Sequence, residues 1–216
     1  MTTPTDTNNV STRDRILDAA ESLFSIHGFA ETSMRDITSD AGVNLAAINY
    51  HFGSKEDLVQ EVFIRCLDPI DKAFNKEADN LLKESRTSYE ALEHFFRVVI
   101  KAALDNEQRK KGGGAIFMRL LSRSYSESQN NLRISLVQRY NTTLIKCIRF
   151  FRLTLPDLSR AEVFWRIHFM LGSLAFTIAG EREIASIAHR IYQDEMDDDV
   201  LLNRLVAFVV AGLQAE

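Results

Sequence analysis

Proline and glycine are scarce in this chain, at 3 and 9 of 216 residues. With so few breaks and long stretches of 3.6-residue apolar periodicity, the sequence predicts an all-α protein. No uninterrupted apolar run approaches the roughly 18–20 residues that a membrane span needs, so no span is expected. The opening residues, MTTPTDTNNVSTRD, have neither the charged start nor the apolar stretch of a secretion signal, and residues 1–10 are expected to form a disordered tail. Only Cys66 and Cys147 carry thiols, far apart and without metal-ligand or redox spacing. Buried free thiols in a reducing cytoplasm are the expectation, and the sequon-like Asn141-Thr142-Thr143 carries little meaning there.

Catalytic signatures are missing as well. There is no G-x-S-x-G, no H-E-x-x-H and no paired Cys/His spacing, so no catalytic residue, metal or cofactor is expected, and a helical-bundle enzyme stands as a distant alternative. Gly112-Gly113-Gly114 follows Arg109-Lys110-Lys111, yet neither a preceding strand nor a following Gly-Lys-Ser/Thr makes it a phosphate loop. It is expected to be a flexible helix–helix connection whose basic cluster has, as a minor reading, a coenzyme A phosphate or DNA to meet. Positive charge is in short supply too, with a net charge of −4.

Hydrophobic residues make up 45% of the chain, including 14 phenylalanines, ample for a core in one or two domains. Ser11 with Asp14 has the spacing of a helix N-cap, and Ile16, Ala20, Leu23 and Phe24 recur on one face of a helix over about 12–27 that Gly28 ends. Ser33 with Asp36 starts a short second helix carrying Met34, Ile37 and Ala41. Gly42-Val43 then makes a tight turn, and Asn44 caps a third helix of about 45–50 with Ile48 inward and Phe52 plugging its end. After Gly53, Ser54 with Asp57 starts a fourth helix that Pro69 is expected to kink or end.

Within this region the stretch AGVNLAAINYHFGSKEDL (41–58) is unusual. Its short, nearly uncharged helix lies between two glycines and is too brief to be stable alone. Three helices in under fifty residues, with a short glycine-containing turn between the second and third, match a helix-turn-helix unit. A generic mini-bundle of short helices satisfies the same spacing.

The remainder predicts helices near 70–84, 88–106, 114–127, 130–153, 159–181 and 196–214. Leu92, Phe95, Phe96, Val99 and Ala103 make one stripe. Leu132, Leu136, Val137, Tyr140, Leu144, Cys147, Ile148 and Phe151 make another. VFWRIHFMLGSLAFTIAG (163–180) is apolar nearly all round, and LVAFVVAGL (205–213) is similar. A helix apolar on every side must be covered on every side. Either a central position or a subunit interface satisfies that, and an isologous four-helix interface between two copies, through about 159–181 and 196–214, is the favoured expectation.

RILDAAESLFSIHGFAETSMRDITSDAGVNLAAINYHFGSKEDLVQEVF (15–63) closely resembles the DNA-binding domain of the TetR family of transcriptional regulators. The match lies in AA..LF..GF..TS, the Arg35-Asp36-Ile37 start of the second helix, AGV, Y-HF and SKE-LV. IFMRLLSRSYSESQNNLR (116–133), EVFWRIHFMLGSLAFTIAG (162–180) and FVVAGLQAE (208–216) resemble the PsrA-type subgroup, whose members respond to long-chain fatty acids. The resemblance implies a TetR-like all-α fold of about nine to ten helices. A tail (1–10) would precede a helix-turn-helix domain (11–58) and a larger effector-binding and dimerisation domain (59–216). It further implies a cytoplasmic homodimeric repressor without cofactor, enzymatic activity or membrane partner. Such a dimer would set one reading helix per subunit into successive major grooves of a palindromic double-stranded operator, about 34–36 Å apart. A hydrophobic effector, long-chain fatty acid or acyl-CoA, would release it. A sensor of another hydrophobic compound, such as a drug or aromatic, is the alternative.

Helix N-termini offer free N–H groups to phosphate, which places Thr32 and Ser33, Asn44, and Ser54 with Lys55 at the backbone. By resemblance Tyr50 and Lys55 touch the DNA backbone and His51 lies near phosphate. Base reading falls to Leu45, Ala46, Ala47 and Asn49, with Arg35 reaching from the second helix; the alanines suit thymine methyls. Capping or packing alone would account for the same residues. Residues 1–60 hold four bases (Arg13, Arg15, Arg35, Lys55) against nine acids. Few ionic phosphate contacts and a shallow salt dependence are expected.

A fatty-acyl chain needs a long apolar cavity with few polar groups at its mouth. Phe95, Phe96, Phe117, Met118, Leu121, Trp165, Phe169 and Phe176 are candidate walls, though each also suits an ordinary core. Arg97, Arg119, Arg123, Arg166 and His168 are candidate head-group partners. Arg119 and His168 stand out because they fall within the subgroup-like segments, so the effector set is Phe96, Phe117, Arg119, Leu121, Trp165, His168 and Phe169.

Overall fold

The computed structural model describes residues 11–81, 88–104, 113–127 and 130–215. The expected tail 1–10 and the cluster Arg109–Gly112 lie outside the described residues, whereas Gly113 and Gly114 begin a helix rather than a connection. Among the described residues the chain is all helical, with eleven helices.

Three short helices form a head. Ser11 accepts the Asp14 backbone N–H at 3.1 Å to cap α1 (Thr12–His27), and Ile16, Leu17, Ala20 and Phe24 form its buried face. Ser33 and Asp36 form a reciprocal capping box on α2 (Met34–Ala41). The chain then reverses through Gly42 at φ +61°, a left-handed turn that a side chain enters only with strain. Asn44 caps α3 (Leu45–Phe52) by accepting from the Ala47 N–H at 2.9 Å. This helix is only eight residues long, and Ile48 and Phe52 hold it by burying in the core of the head. Each contributes about 1.5–3 kcal/mol of transfer free energy, more than propensity supplies over two turns.

The fourth helix, α4 (Lys55–Leu81), passes through Pro69 without ending, so of the two outcomes expected there, a kink or an end, the end is ruled out. Proline removes one intrahelical donor, but contacts on both sides of it hold α4. Arg65 pairs with Asp18 and Glu21 of α1. Asp68 accepts from Tyr140 at 2.7 Å, and Asp71 accepts from Thr143. The expected domain boundary at 58/59 therefore falls inside one continuous helix that the head and body share.

The body comprises α5 (Ser88–Leu104), α6 (Gly113–Ser126), α7 (Asn130–Arg139), α8 (Asn141–Thr154), α9 (Arg160–Ala179), α10 (Glu181–Tyr192) and α11 (Asp198–Gln214). Phenylalanine fills its centre, where Phe95 of α5 stacks on Phe150 of α8 at 4.8 Å and meets Phe96 edge-on at 4.9 Å. Leu202, Leu205, Val206, Val209 and Val210 of α11 are buried in the same core.

Two further expectations are corrected. The helix over 130–153 is broken at Tyr140 (φ −99°, ψ 19°), where the phenol hydroxyl is tied to Asp68 on α4. Its single stripe divides accordingly, with Leu132 and Phe151 buried and Val137, Leu144 and Ile148 exposed. The second correction adds α10, because Gly180 and the charged start EREI read as a helix end. Ile184, Ile187, Ala188 and Ile191 nevertheless recur at helical spacing within it, and none of its residues is buried. No single helix among the described residues is long and apolar enough to cross a membrane.

Candidate nucleic-acid interface and its link to the body

The head turns α3 outward. Leu45, Ala46, Asn49, Tyr50 and His51 are exposed, Tyr50 by 86%, while Ile48 and Phe52 point into the core. The Ala47 side chain is half-buried beside them. Ser33 and Asn44 sit exposed at the N-termini of α2 and α3, and Arg35 is exposed one residue into α2. Hydrogen bonds from the Ser33 hydroxyl and backbone hold the Asp36 carboxyl below the usual carboxylate range, so it stays ionised as the cap acceptor. Lys55 begins α4 with its Nζ 3.3 Å from the Ala30 carbonyl, half-buried at the edge of this surface.

Thr32 departs from the expected set. Its side chain is 1% exposed, and its hydroxyl donates to the Gly28 carbonyl at 2.7 Å. It braces the turn after α1 and presents no hydroxyl to the surface. Two of the four bases in the head are also occupied internally. Arg13 pairs with Glu61 and lies over the Phe52 ring, and Arg15 donates to the Ala41 and Gly42 carbonyls. Arg35 is left for an anionic partner, together with Lys55, whose ammonium has two donors beyond the one on the Ala30 carbonyl.

Sequence reasoning missed the junction between head and body. Arg123 of α6 donates through Nε to the Ser25 carbonyl at 3.2 Å and through a terminal nitrogen to the Ile26 carbonyl at 2.6 Å. Glu127 accepts the backbone N–H groups of Phe29 and Ala30 at 2.8 and 3.1 Å, and it pairs with Arg123 at 3.3 Å. One i,i+4 pair thus satisfies both the carbonyl end of α1 and the amides that follow it. The i,i+4 spacing of Arg123 and Glu127 was the available signal, but nothing local names a partner almost a hundred residues away.

The seven effector candidates do not converge on one cavity. Phe96 and Phe117 are buried in the core, and Arg119 donates to the Ala179 carbonyl at 2.9 Å. Trp165 and Phe169 stack on each other at 6.1 Å on the exposed side of α9. Leu121 and His168 do meet, in a cavity of about 240 Å³ between α6 and α9 that Tyr125 and Gly172 also line. The His168 Nδ1–H donates to the Phe164 carbonyl at 2.7 Å, leaving Nε2 as the free ring nitrogen. A larger groove of about 740 Å³ opens between the end of α8 and the start of α9, lined by none of the seven. Among the described residues no group of three His, Cys, Asp or Glu side chains is placed to hold a metal ion.

Residues 16–62 match the tetR family of bacterial regulatory proteins, and residues 97–212, more than half the chain, match the tetracyclin repressor-like C-terminal domain. The chain belongs to the TetR family. That family is one of DNA-binding transcriptional regulators, not of enzymes. Among curated relatives, the probable transcriptional regulator YttP of Bacillus subtilis is 33% identical over 90 residues, covering 42% of this chain and 43% of that protein. The repressor KstR2 of Mycolicibacterium smegmatis is 33% identical over 107 residues, covering 46% of this chain and 52% of the relative. The chain thus spans about half the length of the curated relatives it matches. The fold matches the fatty acid degradation regulator FadR of Bacillus halodurans with a TM-score of 0.58 at 14% identity, covering 98% of this chain and 100% of that one. It also matches NalD of Pseudomonas aeruginosa, described as the secondary repressor of a multidrug efflux pump, with a TM-score of 0.57 at 19% identity, covering 93% and 94%.

Proposed function

We propose that this TetR-family chain is a ligand-responsive repressor that binds a palindromic operator as a homodimer, one α3 per major groove. The observation that carries the reading is the α3 face itself. It is exposed and uncharged, braced from behind by Ile48 and Phe52 and flanked by the capped starts of α2 and α3 and by Lys55. Such a face reads by close fit, methyl contact and hydrogen bonds from Asn49 and Tyr50. The test is a gel shift on the promoter beside the protein's own gene. Retardation at low salt and micromolar protein is expected, and loss of binding in Tyr50→Ala with the fold intact. No retardation of that promoter would end the reading.

Dimerisation through α9 and α11 is part of the proposal. Trp165, Phe169, Phe176 and Phe208 are each more than half exposed, apolar surface of the kind that marks an interface. Gly172 and Gly212 support it, since a Cβ at either would meet nothing within 4 Å. Mid-helix glycine costs about 1 kcal/mol relative to alanine, and no contact within one subunit requires it at these two positions. Close approach of a second chain supplies a reason.

The effector we assign is a long-chain fatty acid or its coenzyme A thioester, following the resemblance to the PsrA-type subgroup. Its route to the head runs through α6, which forms one wall of the Leu121–His168 cavity and carries Arg123 against α1. A hydrophobic compound of another class, as an efflux regulator would sense, is the second reading. Titrating oleate and oleoyl-CoA against the preformed DNA complex separates the two.

A further inference from the structure

The 740 Å³ groove between α8 and α9 lies within the ~300–1,000 Å³ range of small-molecule sites, and its walls are apolar: Phe151, Leu155, Leu158, Val163, Phe164 and Ile167. Two of its rim residues are exposed arginines, Arg152 at the end of α8 and Arg160 at the start of α9. A shallower groove of about 320 Å³ continues from it along α8, shares Ile148 and Arg152, and adds Arg149.

Charge sets this place apart from the rest of the molecule. The chain is net acidic, yet residues 130–160 carry six bases and a single acid, Asp157. Many arginines elsewhere are committed: Arg65 to Asp18 and Glu21, Arg97 to Glu93, Arg166 to Glu162, Arg204 to Asp194. The guanidinium groups of Arg149, Arg152 and Arg160 make no hydrogen bond or ion pair with any described residue, and Asp157, on the turn between α8 and α9, pairs with none of the three. Glu162, the next acid along α9, is held by Arg166 at 2.8 Å. Three unpartnered guanidinium groups along a continuous apolar trough suit an anion with a long aliphatic tail, because a guanidinium offers bidentate donors to carboxylate or phosphate.

We propose that this groove binds an amphipathic anion, its aliphatic chain lying against Phe151, Leu158 and Phe164 and its carboxylate or phosphate held by Arg152 and Arg160. The assignment rests on the effector reading above and moves the head group away from Arg119 and His168. Arg149 distinguishes the two sources of the anion. A carboxylate directly on the chain is satisfied at Arg152 and Arg160, whereas the extended phosphates of a coenzyme A thioester reach on to Arg149.

Trp165 supplies the readout. It is the only tryptophan in the chain, and its ring lies 5.7 Å from that of Phe164 in the groove wall. Oleate, oleoyl-CoA and uncharged oleyl alcohol are titrated against the full-length protein by tryptophan emission and calorimetry, in parallel with release of promoter DNA. The Arg152→Ala/Arg160→Ala variant is expected to bind the anions at least tenfold more weakly and oleyl alcohol unchanged. Phe164→Ala weakens all three. Arg149→Ala weakens oleoyl-CoA alone if the head is the phosphorylated one. Unchanged anion binding in the double variant overturns the site, and the effector reading survives it if DNA is still released. Anion binding that depends on both arginines but never releases DNA upholds the site and overturns the effector reading. A double variant that binds both lipids normally yet loses its dimer makes the groove an inter-subunit surface, which also overturns the proposal. Absence of binding by either lipid to the unaltered protein overturns both.

Discussion

Glu127, the residue after α6, accepts the backbone N–H of Phe29, the second residue after α1, at 2.8 Å. With Arg123 on the carbonyls of Ser25 and Ile26, it makes the turn after α1 part of the body's hydrogen-bonding scheme. Hydrogen bonds involving one charged partner contribute about 1.5–3 kcal/mol where water is excluded, and less here because both side chains are partly exposed. Glu127→Ala is expected to leave the dimer intact and to speed hydrogen exchange at the Phe29 and Ala30 amides. It should also reduce effector-driven DNA release while operator binding persists. Glu127→Gln, which keeps one acceptor, should restore part of that coupling. Unchanged exchange at the two amides would show that the clamp is not populated in solution.

Gly28 completes the same junction. Its backbone stands at φ 90°, ψ 170°, a region essentially reserved for glycine, and a Cβ there would lie 2.4 Å from a Glu127 carboxylate oxygen. Gly28→Ala should therefore cost about 1–3 kcal/mol, read as a lowered urea midpoint. The same change at Gly172 or Gly212, where the Cβ meets nothing within one subunit, should leave monomer stability unchanged or slightly raised. Equal effects at all three positions would contradict this distinction.

Much of the head was legible in sequence because its signals are local. Ser11, Ser33 and Asn44 all accept the backbone bonds their spacing foretold, and Ile48 and Phe52 bury as expected. Signals failed where a distant residue decided the outcome. Pro69 stays helical because Arg65, Asp68 and Asp71 are anchored to other helices, and Tyr140 breaks a continuous apolar pattern because its hydroxyl is drawn to Asp68. Thr32 stands just before α2, the place of an N-terminal phosphate contact, but its hydroxyl turns back to Gly28. Around the groove, Arg149, Arg152 and Arg160 fall in no motif, and the sequence points to other arginines as head-group partners. Their shared lack of partners becomes apparent only once α8 and α9 are packed.

Salt dependence provides a separate check on the interface. With Arg13 and Arg15 spent inside the head, Arg35 and Lys55 remain in each subunit. Four neutralised phosphates per dimer give a slope of log K against log salt of about −4 or shallower. Arg35→Ala should flatten it by roughly 2, one contact per half-site. A measured slope near −8 would mean that bases outside the head join the interface.

Cys147 makes a pH prediction. Burial first, and then the nearby Asp71 carboxylate, push its thiol from the ordinary 9.0 up to about 12. The neutral thiol is the form the fold favours, so its contribution is fully present below pH 9 and declines as pH rises from 9 towards 12. At pH 8 the thiolate fraction is on the order of 10⁻⁴. A thiol reagent at pH 8 should leave Cys147 and the buried Cys66 unmodified in native protein and label both after unfolding. Rapid native labelling at Cys147 would contradict its described surroundings.

The exposed aromatic surface leads to the last expectation. On α11 the outward positions include Arg204, Ala207, Phe208, Ala211 and Gly212, three small residues and one arginine around one aromatic, while Leu205, Val209 and Leu213 hold the helix to its own core. On α9, Trp165, Phe169, Gly172 and Phe176 follow one another at helical spacing on the exposed side. If these faces meet across a two-fold axis, Phe208→Asp places two carboxylates in a buried isologous contact, and each fully desolvated charge is strongly unfavourable without a partner. Sedimentation should then show monomers where the unaltered protein is dimeric, with secondary structure retained because Phe208 is 64% exposed and lies outside its own subunit's buried core. Operator affinity should fall with the dimer, since a single head reads half a site. Phe169→Asp should act alike, whereas Tyr89→Asp, at an exposed aromatic on α5, should do neither. A Phe208→Asp protein that stays dimeric would move the interface elsewhere, with the exposed Ile187 and Ile191 face of α10 as the next surface to substitute.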